Sequence, residues 1–111
     1  MKHAPARGEI WQFAFPKPDH KRPVLVLTRQ DMIGLLHTVT VAPITSTIRD
    51  VPSEVVVGIE SGLKHRSAIN LHHVITVPTV GLRSFVGELS ADHMSKVRTA
   101  LLFALGFNAA R

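Results

Sequence analysis

At 111 residues the chain is long enough for one domain with a real hydrophobic core and too short for two. Hydrophobic residues make up 45% and charged residues 19%, which excludes an intrinsically disordered chain; the absence of cysteine excludes a disulfide framework and thiol chemistry. The net charge of +5 points to polyanionic partners, either nucleic acid or an acidic protein segment.

Residues 1–6 are polar, contain a proline and read as a mobile arm on a single domain spanning 1–111. Residues 1–8 lack the apolar centre of a secretion signal. Every apolar run is broken well short of a membrane span, so a soluble cytoplasmic protein with no membrane partner is expected. Glu9 to Phe15 alternates with period two and predicts a strand, with Ile10, Gln12 and Ala14 on one face and Trp11, Phe13 and Phe15 on the other. Three prolines within Pro16 to Pro23 predict an exposed basic loop.

Val24 to Thr28 is continuously apolar up to its last residue, the pattern of a strand buried on both faces. Thr38 to Ile44 is a second β-branched strand, with Pro43 near its end. Further strands are expected at Glu54 to Ile59, at Ser67 to Val77 with an irregularity at the two histidines, and within Ser84 to Leu89. The chain closes with a helix. Ser90 suits its N-cap, and Met94, Val97, Leu101 and Leu105 form one apolar stripe. Gly106 suits the position just past its end. Short strands followed by one helix imply a small barrel or curled antiparallel sheet packed against that helix.

The carboxylates are scattered singly, and His72 with His73 on a strand would point to opposite faces, so no metal site is expected. No glycine-rich phosphate loop occurs, and no cofactor is expected. Arg22 opens one core strand and Thr45 closes the other, so neighbouring strands would bring a guanidinium near a hydroxyl. Such a pair can promote cleavage of RNA, whose own 2′-hydroxyl is the nucleophile, by orienting it and stabilising charge on the phosphoryl oxygens. On spacing alone the commoner roles are a solvated arginine and a hydroxyl satisfying its local backbone.

At these residues the chain resembles the MazF/PemK family of toxin–antitoxin ribonucleases. Arg7-Gly8-Glu9-Ile10-Trp11 resembles the family's opening, and Lys21 to Val26 its R-P-V-L-V strand. Val39 to Ser46 resembles V-x-V-A-P-I-T-S. Gly62-Leu63 followed by Ser67-Ala68-Ile69 resembles the next segment, and Val86 to Ser90 with Ala100-Leu101 and Leu105-Gly106 the closing strand and helix. The resemblance implies an SH3-like barrel of antiparallel strands with a C-terminal helix, shared with CcdB and Kid, and a homodimer. It implies metal-independent, sequence-specific cleavage of single-stranded RNA to a 2′,3′-cyclic phosphate and a 5′-hydroxyl, held in check by a cognate antitoxin with an acidic flexible tail. Arg22 and Thr45 fall on the family's catalytic arginine and threonine. Around them Lys17, His20, Lys21, Ser46, Thr47, Arg49, His73 and Thr76 are the expected RNA-binding residues. Two segments depart from the family pattern: the short proline-rich Pro16 to His20, and His72 to Pro78, where many members carry D-Q-I-R-T. Two other readings are a CcdB-like gyrase poison and a catalytically inactive RNA-binding barrel.

Overall fold

The β-branched runs become the centre of a sheet because both of their faces find apolar cover. The computed structural model describes residues 3–16 and 20–108. Its elements are β1 (Glu9–Ala14), β2 (Lys21–Val26), β3 (Thr38–Thr45), β4 (Glu54–Val57), β5 (Ser67–Asn70), β6 (Ile75–Pro78), β7 (Leu82–Glu88) and one helix, α1 (Ala91–Leu105). The strands run β4-β5-β3-β2-β1-β7, all neighbours antiparallel, with β6 added beside β3. This is the expected mainly-β class with a closing helix. The sheet curls but stays open, since no ladder joins β4 to β7 among the described residues.

Side chains alternate along β2 and the residue after it, and so divide between two cores. Leu25 and Leu27 join Ile10, Ala42, Ile44, Ile69, Leu71 and the helix residues Val97 and Ala100. Val24 and Val26 join Trp11, Phe13, Val39, Val41, Val77 and Leu82 on the other side. Every side chain from Val24 to Val26 is fully buried, as the unbroken apolar run predicts.

β3 is the hub. It pairs with β2 on one edge, and with β6 and then β5 along the other. The irregularity expected within Ser67 to Val77 is a 3₁₀ turn, Leu71–His73, that breaks the segment into β5 and β6. His72 and His73 therefore do not sit on opposite faces of a strand: their rings meet edge-to-face with centroids 4.5 Å apart.

A second correction concerns Lys21 to Pro23, expected in a loop. These residues belong to β2, with Arg22 opposite Phe13 and Pro23 opposite Gln12 of β1. The proline is tolerated because the β2–β3 ladder reaches only to Val24 and Pro43, so no β3 partner asks Pro23 for a donor. Of the arm expected over residues 1–6, His3 to Ala6 lie against β1. The His3 ring packs edge-to-face on Trp11 and Phe85, and Glu9 accepts hydrogen bonds from the Ala6 N–H and Trp11 Nε1, both at 2.9 Å.

Ser90 caps α1, its Oγ accepting the His93 N–H at 3.1 Å, and Gly106 ends the helix in the left-handed conformation. The buried stripe is Met94, Val97, Ala100, Leu101 and Ala104. Leu105, expected in it, is 54% exposed, and Ala104 packs against the core in the last turn instead. Ser90→Ala is expected to lower stability by about 1 kcal/mol, read as a reduced urea midpoint at unchanged slope.

Candidate active site

Two prolines stand where β2 and β3 part. Pro23 and Pro43 both lack the N–H that a continued ladder would use, and the pairing stops at Val24 and Pro43. Extending that register by two residues sets Arg22 opposite Thr45. Each is held instead by a different neighbour: Arg22 by Phe13 on β1, Thr45 by Ala68 on β5. Beside this divergence lies a cleft lined by both expected catalytic residues.

Two grooves meet there, and Arg22, Ile44 and Thr45 line both. The larger, about 670 Å³, has one wall from Gly62 to His65 and the other from Ser84 to Val86, with Gln12, Lys21, Ser46 and Ser67 completing it. The smaller, about 350 Å³, is bounded by Phe15, Pro43, Thr47, Arg49, Asn70 and His73. Neither lining contains a carboxylate among the described residues, whereas Lys21, Arg22, Arg49 and Lys64 are all present. Among the described lining residues an anion entering this cleft meets four cations.

The local structure fixes several of these groups. Thr45 Oγ1 accepts the Thr47 N–H at 3.2 Å, which turns the chain sharply after β3. Glu54 Oε1 accepts the N–H groups of both Arg49 and Asp50 at 3.0 Å, so a buried carboxylate anchors the loop that presents the Arg49 guanidinium. The far wall starts from the 3₁₀ turn Ile59–Ser61. Glu60 accepts the Gly58 N–H at 2.9 Å, and the N–H groups of Glu60 itself and of Gly58 hold its carboxyl below the ordinary glutamate value.

Of the residues expected to bind RNA, Lys21, Ser46, Thr47, Arg49 and His73 line the grooves together with Arg22 and Thr45. Lys17 lies outside the described residues. His20 takes a left-handed conformation at the end of the β1–β2 connection, its carbonyl accepting the Phe15 N–H at 2.7 Å, and lines neither groove. Thr76 is also elsewhere. It pairs across β6 and β3 with Thr40, the two hydroxyls 3.1 Å apart. Its extended position in β6 carries it past the 3₁₀ turn that aims His73 at the cleft.

Lys64, His65 and Asn70 also line the grooves and are not apparent as site residues from the sequence. The first two were visible as a basic cluster in a turn, with no indication that the turn forms a groove wall. Asn70 was visible only as one polar residue ending an otherwise apolar strand. Among the described residues no three histidines or carboxylates gather in a metal-binding group, and no helix is long and apolar enough to cross a membrane.

An open, curled antiparallel sheet with one C-terminal helix, and a cationic cleft lined by an arginine and a threonine, defines a small β protein with a cleft suited to an anion. Comparison with known proteins narrows this. Residues 6–105 match the family described as PemK-like, MazF-like toxin of type II toxin–antitoxin system. A probable endoribonuclease, MazF5 of Mycobacterium tuberculosis, is 40% identical over 108 residues, covering 95% of this chain and 96% of that protein. The solved structure of the M. tuberculosis toxin MazF-mt6 superposes with a TM-score of 0.84 at 33% identity, covering 90% of this chain and 98% of the other. A mycobacterial endoribonuclease solved in complex with its cognate antitoxin gives 0.85 at 25% identity, covering 96% and 100%. The chain belongs to the PemK/MazF toxin family.

Proposed function

We propose that this protein is a sequence-specific endoribonuclease toxin acting on single-stranded RNA, most naturally messenger RNA, in the cytoplasm. It needs no metal and no cofactor, works as a homodimer, and is neutralised by a cognate antitoxin whose acidic flexible tail covers the cationic cleft. The observation that carries this reading is that Arg22 and Thr45 both line the junction of two grooves in which the described lining residues include no carboxylate. A strand of RNA laid along both grooves puts one phosphodiester at that junction.

The RNA supplies the nucleophile. Its 2′-oxygen bonds to phosphorus as the bond from phosphorus to the 5′-oxygen breaks, leaving a 2′,3′-cyclic phosphate and a 5′-hydroxyl. The 2′-hydroxyl proton leaves to solvent, and the departing 5′-oxygen takes one up. Arg22 grips the non-bridging oxygens with its planar fork as negative charge builds on them. The Thr45 hydroxyl orients the 2′-hydroxyl or a non-bridging oxygen. Lys21, Ser46, Thr47, Arg49 and His73 hold the flanking nucleotides.

Purified protein incubated with RNA is expected to create new 5′-hydroxyl ends at a short recurring motif, read by end sequencing. Excess EDTA is expected to leave the rate unchanged; its loss would overturn the metal-free mechanism. With four cations in the cleft, log affinity for single-stranded RNA should fall against log salt with a slope of about −3. DNA breakage without transcript loss on expression would favour a gyrase poison instead.

A further inference from the structure

We propose that the smaller groove is a pocket for a single nucleobase, and that Asn70 reads that base by its exocyclic amine. This rests on the ribonuclease reading above. Asn70 ends β5, is 6% exposed, and lines the smaller groove. Directly opposite it across the β4–β5 ladder stands Glu54, also buried. Asn70 Oδ1 and Glu54 Oε2 are both shut off from solvent, and neither meets a donor. The other Glu54 oxygen is already engaged by the Arg49 and Asp50 N–H groups.

Two buried, unpartnered acceptors on directly paired residues are a costly arrangement. An asparagine amide turned half-way about its last torsion keeps its shape and exchanges oxygen for nitrogen. So turned, Nδ2 donates to Glu54 Oε2 and Oδ1 faces the groove. Glu54 then fixes which end of the amide the groove sees, and that fixed order is what lets an amide discriminate between bases.

The rest of the groove suits a base. Its volume of about 350 Å³ lies at the small end for ligand sites, room for one base rather than a length of chain. Phe15, Pro43 and His73 offer flat faces for stacking, and Arg22 and Thr45 close the side where the phosphate lies. An acceptor in the wall welcomes adenine N6 or cytosine N4. It repels guanine or uracil, which carry a carbonyl oxygen at that place.

The test is cleavage of a randomised RNA pool, with 5′-hydroxyl ends sequenced for the wild type, Asn70→Ala and Glu54→Gln. The wild type should favour adenine or cytosine at one position flanking the cut. Asn70→Ala should flatten that preference about tenfold at that position alone. Glu54→Gln places an amide donor beside Asn70, turns its Oδ1 inward, and should shift the preference toward uracil or guanine. An unchanged base profile in both variants would overturn the pocket, as would an equal slowing at all four bases. A parallel arm measures equilibrium binding of short RNAs differing at that one base. Wild type that binds selectively without cutting would sink the ribonuclease reading and keep the pocket; wild type that cuts with a profile indifferent to both substitutions would do the reverse.

Discussion

Arg22→Ala is expected to lower RNA cleavage about a thousandfold or more, with the fold intact. The side chain is exposed, so truncation opens no cavity, and its place in β2 is held by backbone pairing with β1 that alanine preserves. Stability should move by no more than about 0.5 kcal/mol. In the proposed mechanism the loss is large because the guanidinium acts where charge develops, and among the described residues lining both grooves it alone offers a bidentate fork. Arg22→Lys keeps the charge and loses the fork, so it should fall between wild type and alanine. Thr45→Ala should cost about a hundredfold, the scale of one positioned hydrogen bond in a transition state. It also releases the Thr47 N–H, which Thr45→Ser retains, so the serine variant separates chemistry from loop geometry. Single-turnover cleavage of a short RNA with a thermal melt for each variant decides this. Near wild-type cutting by Arg22→Ala would mean that the junction is not the active site.

The two halves of this site were unequally visible in the amino-acid sequence. Val24 to Leu27 and Val39 to Ile44 announce buried strands because β-branched runs have few other homes, and the order of family-like segments implied the fold. That Arg22 and Thr45 line one cleft depends on register and on where the β2–β3 ladder ends. Pro23 was legible as an obstacle to regular structure. In the fold it marks the last residue before the divergence and still belongs to a strand, because only one of its two edges is paired there.

Long-range placement explains the other misses. Lys64 and His65 become a groove wall only when the turn before them reaches across the open sheet to β7. Asn70 carries a signal only once its orphaned acceptor and that of Glu54 are seen on paired residues. Leu105 fits the helical period as well as Ala104 does, and only the tertiary packing of the last turn, which takes Ala104, chooses between them.

Gly87→Ala is expected to destabilise the protein by about 3 kcal/mol, the upper part of the range for overpacking, and to lower its melting temperature by about 15 °C. The sheet has no ladder between β4 and β7, so another contact must bring its ends together. That contact is backbone against backbone. A Cβ on Gly87 would run into the Ser61 carbonyl and lie 3.2 Å from Gly62 Cα, while one on Gly62 would strike the Val86 carbonyl. These obstacles are main chain on both sides, so no side chain can swing aside, and Gly62 already requires a left-handed conformation, at φ +92°. The same contact sets the width of the larger groove, whose facing walls are Gly62 to His65 and Ser84 to Val86. Gly87→Ala should therefore weaken RNA cleavage even at temperatures where the variant is folded, by parting Lys64 and His65 from the opposite wall. Gly34→Ala is the control. It also replaces a glycine with positive φ, but its Cβ would meet nothing within 4 Å, so it should cost only about 1 kcal/mol and leave cleavage unchanged. Melting of Gly87→Ala within a degree or two of wild type would show that the sheet's ends are not held by this contact, and that the groove takes its width from the strands alone.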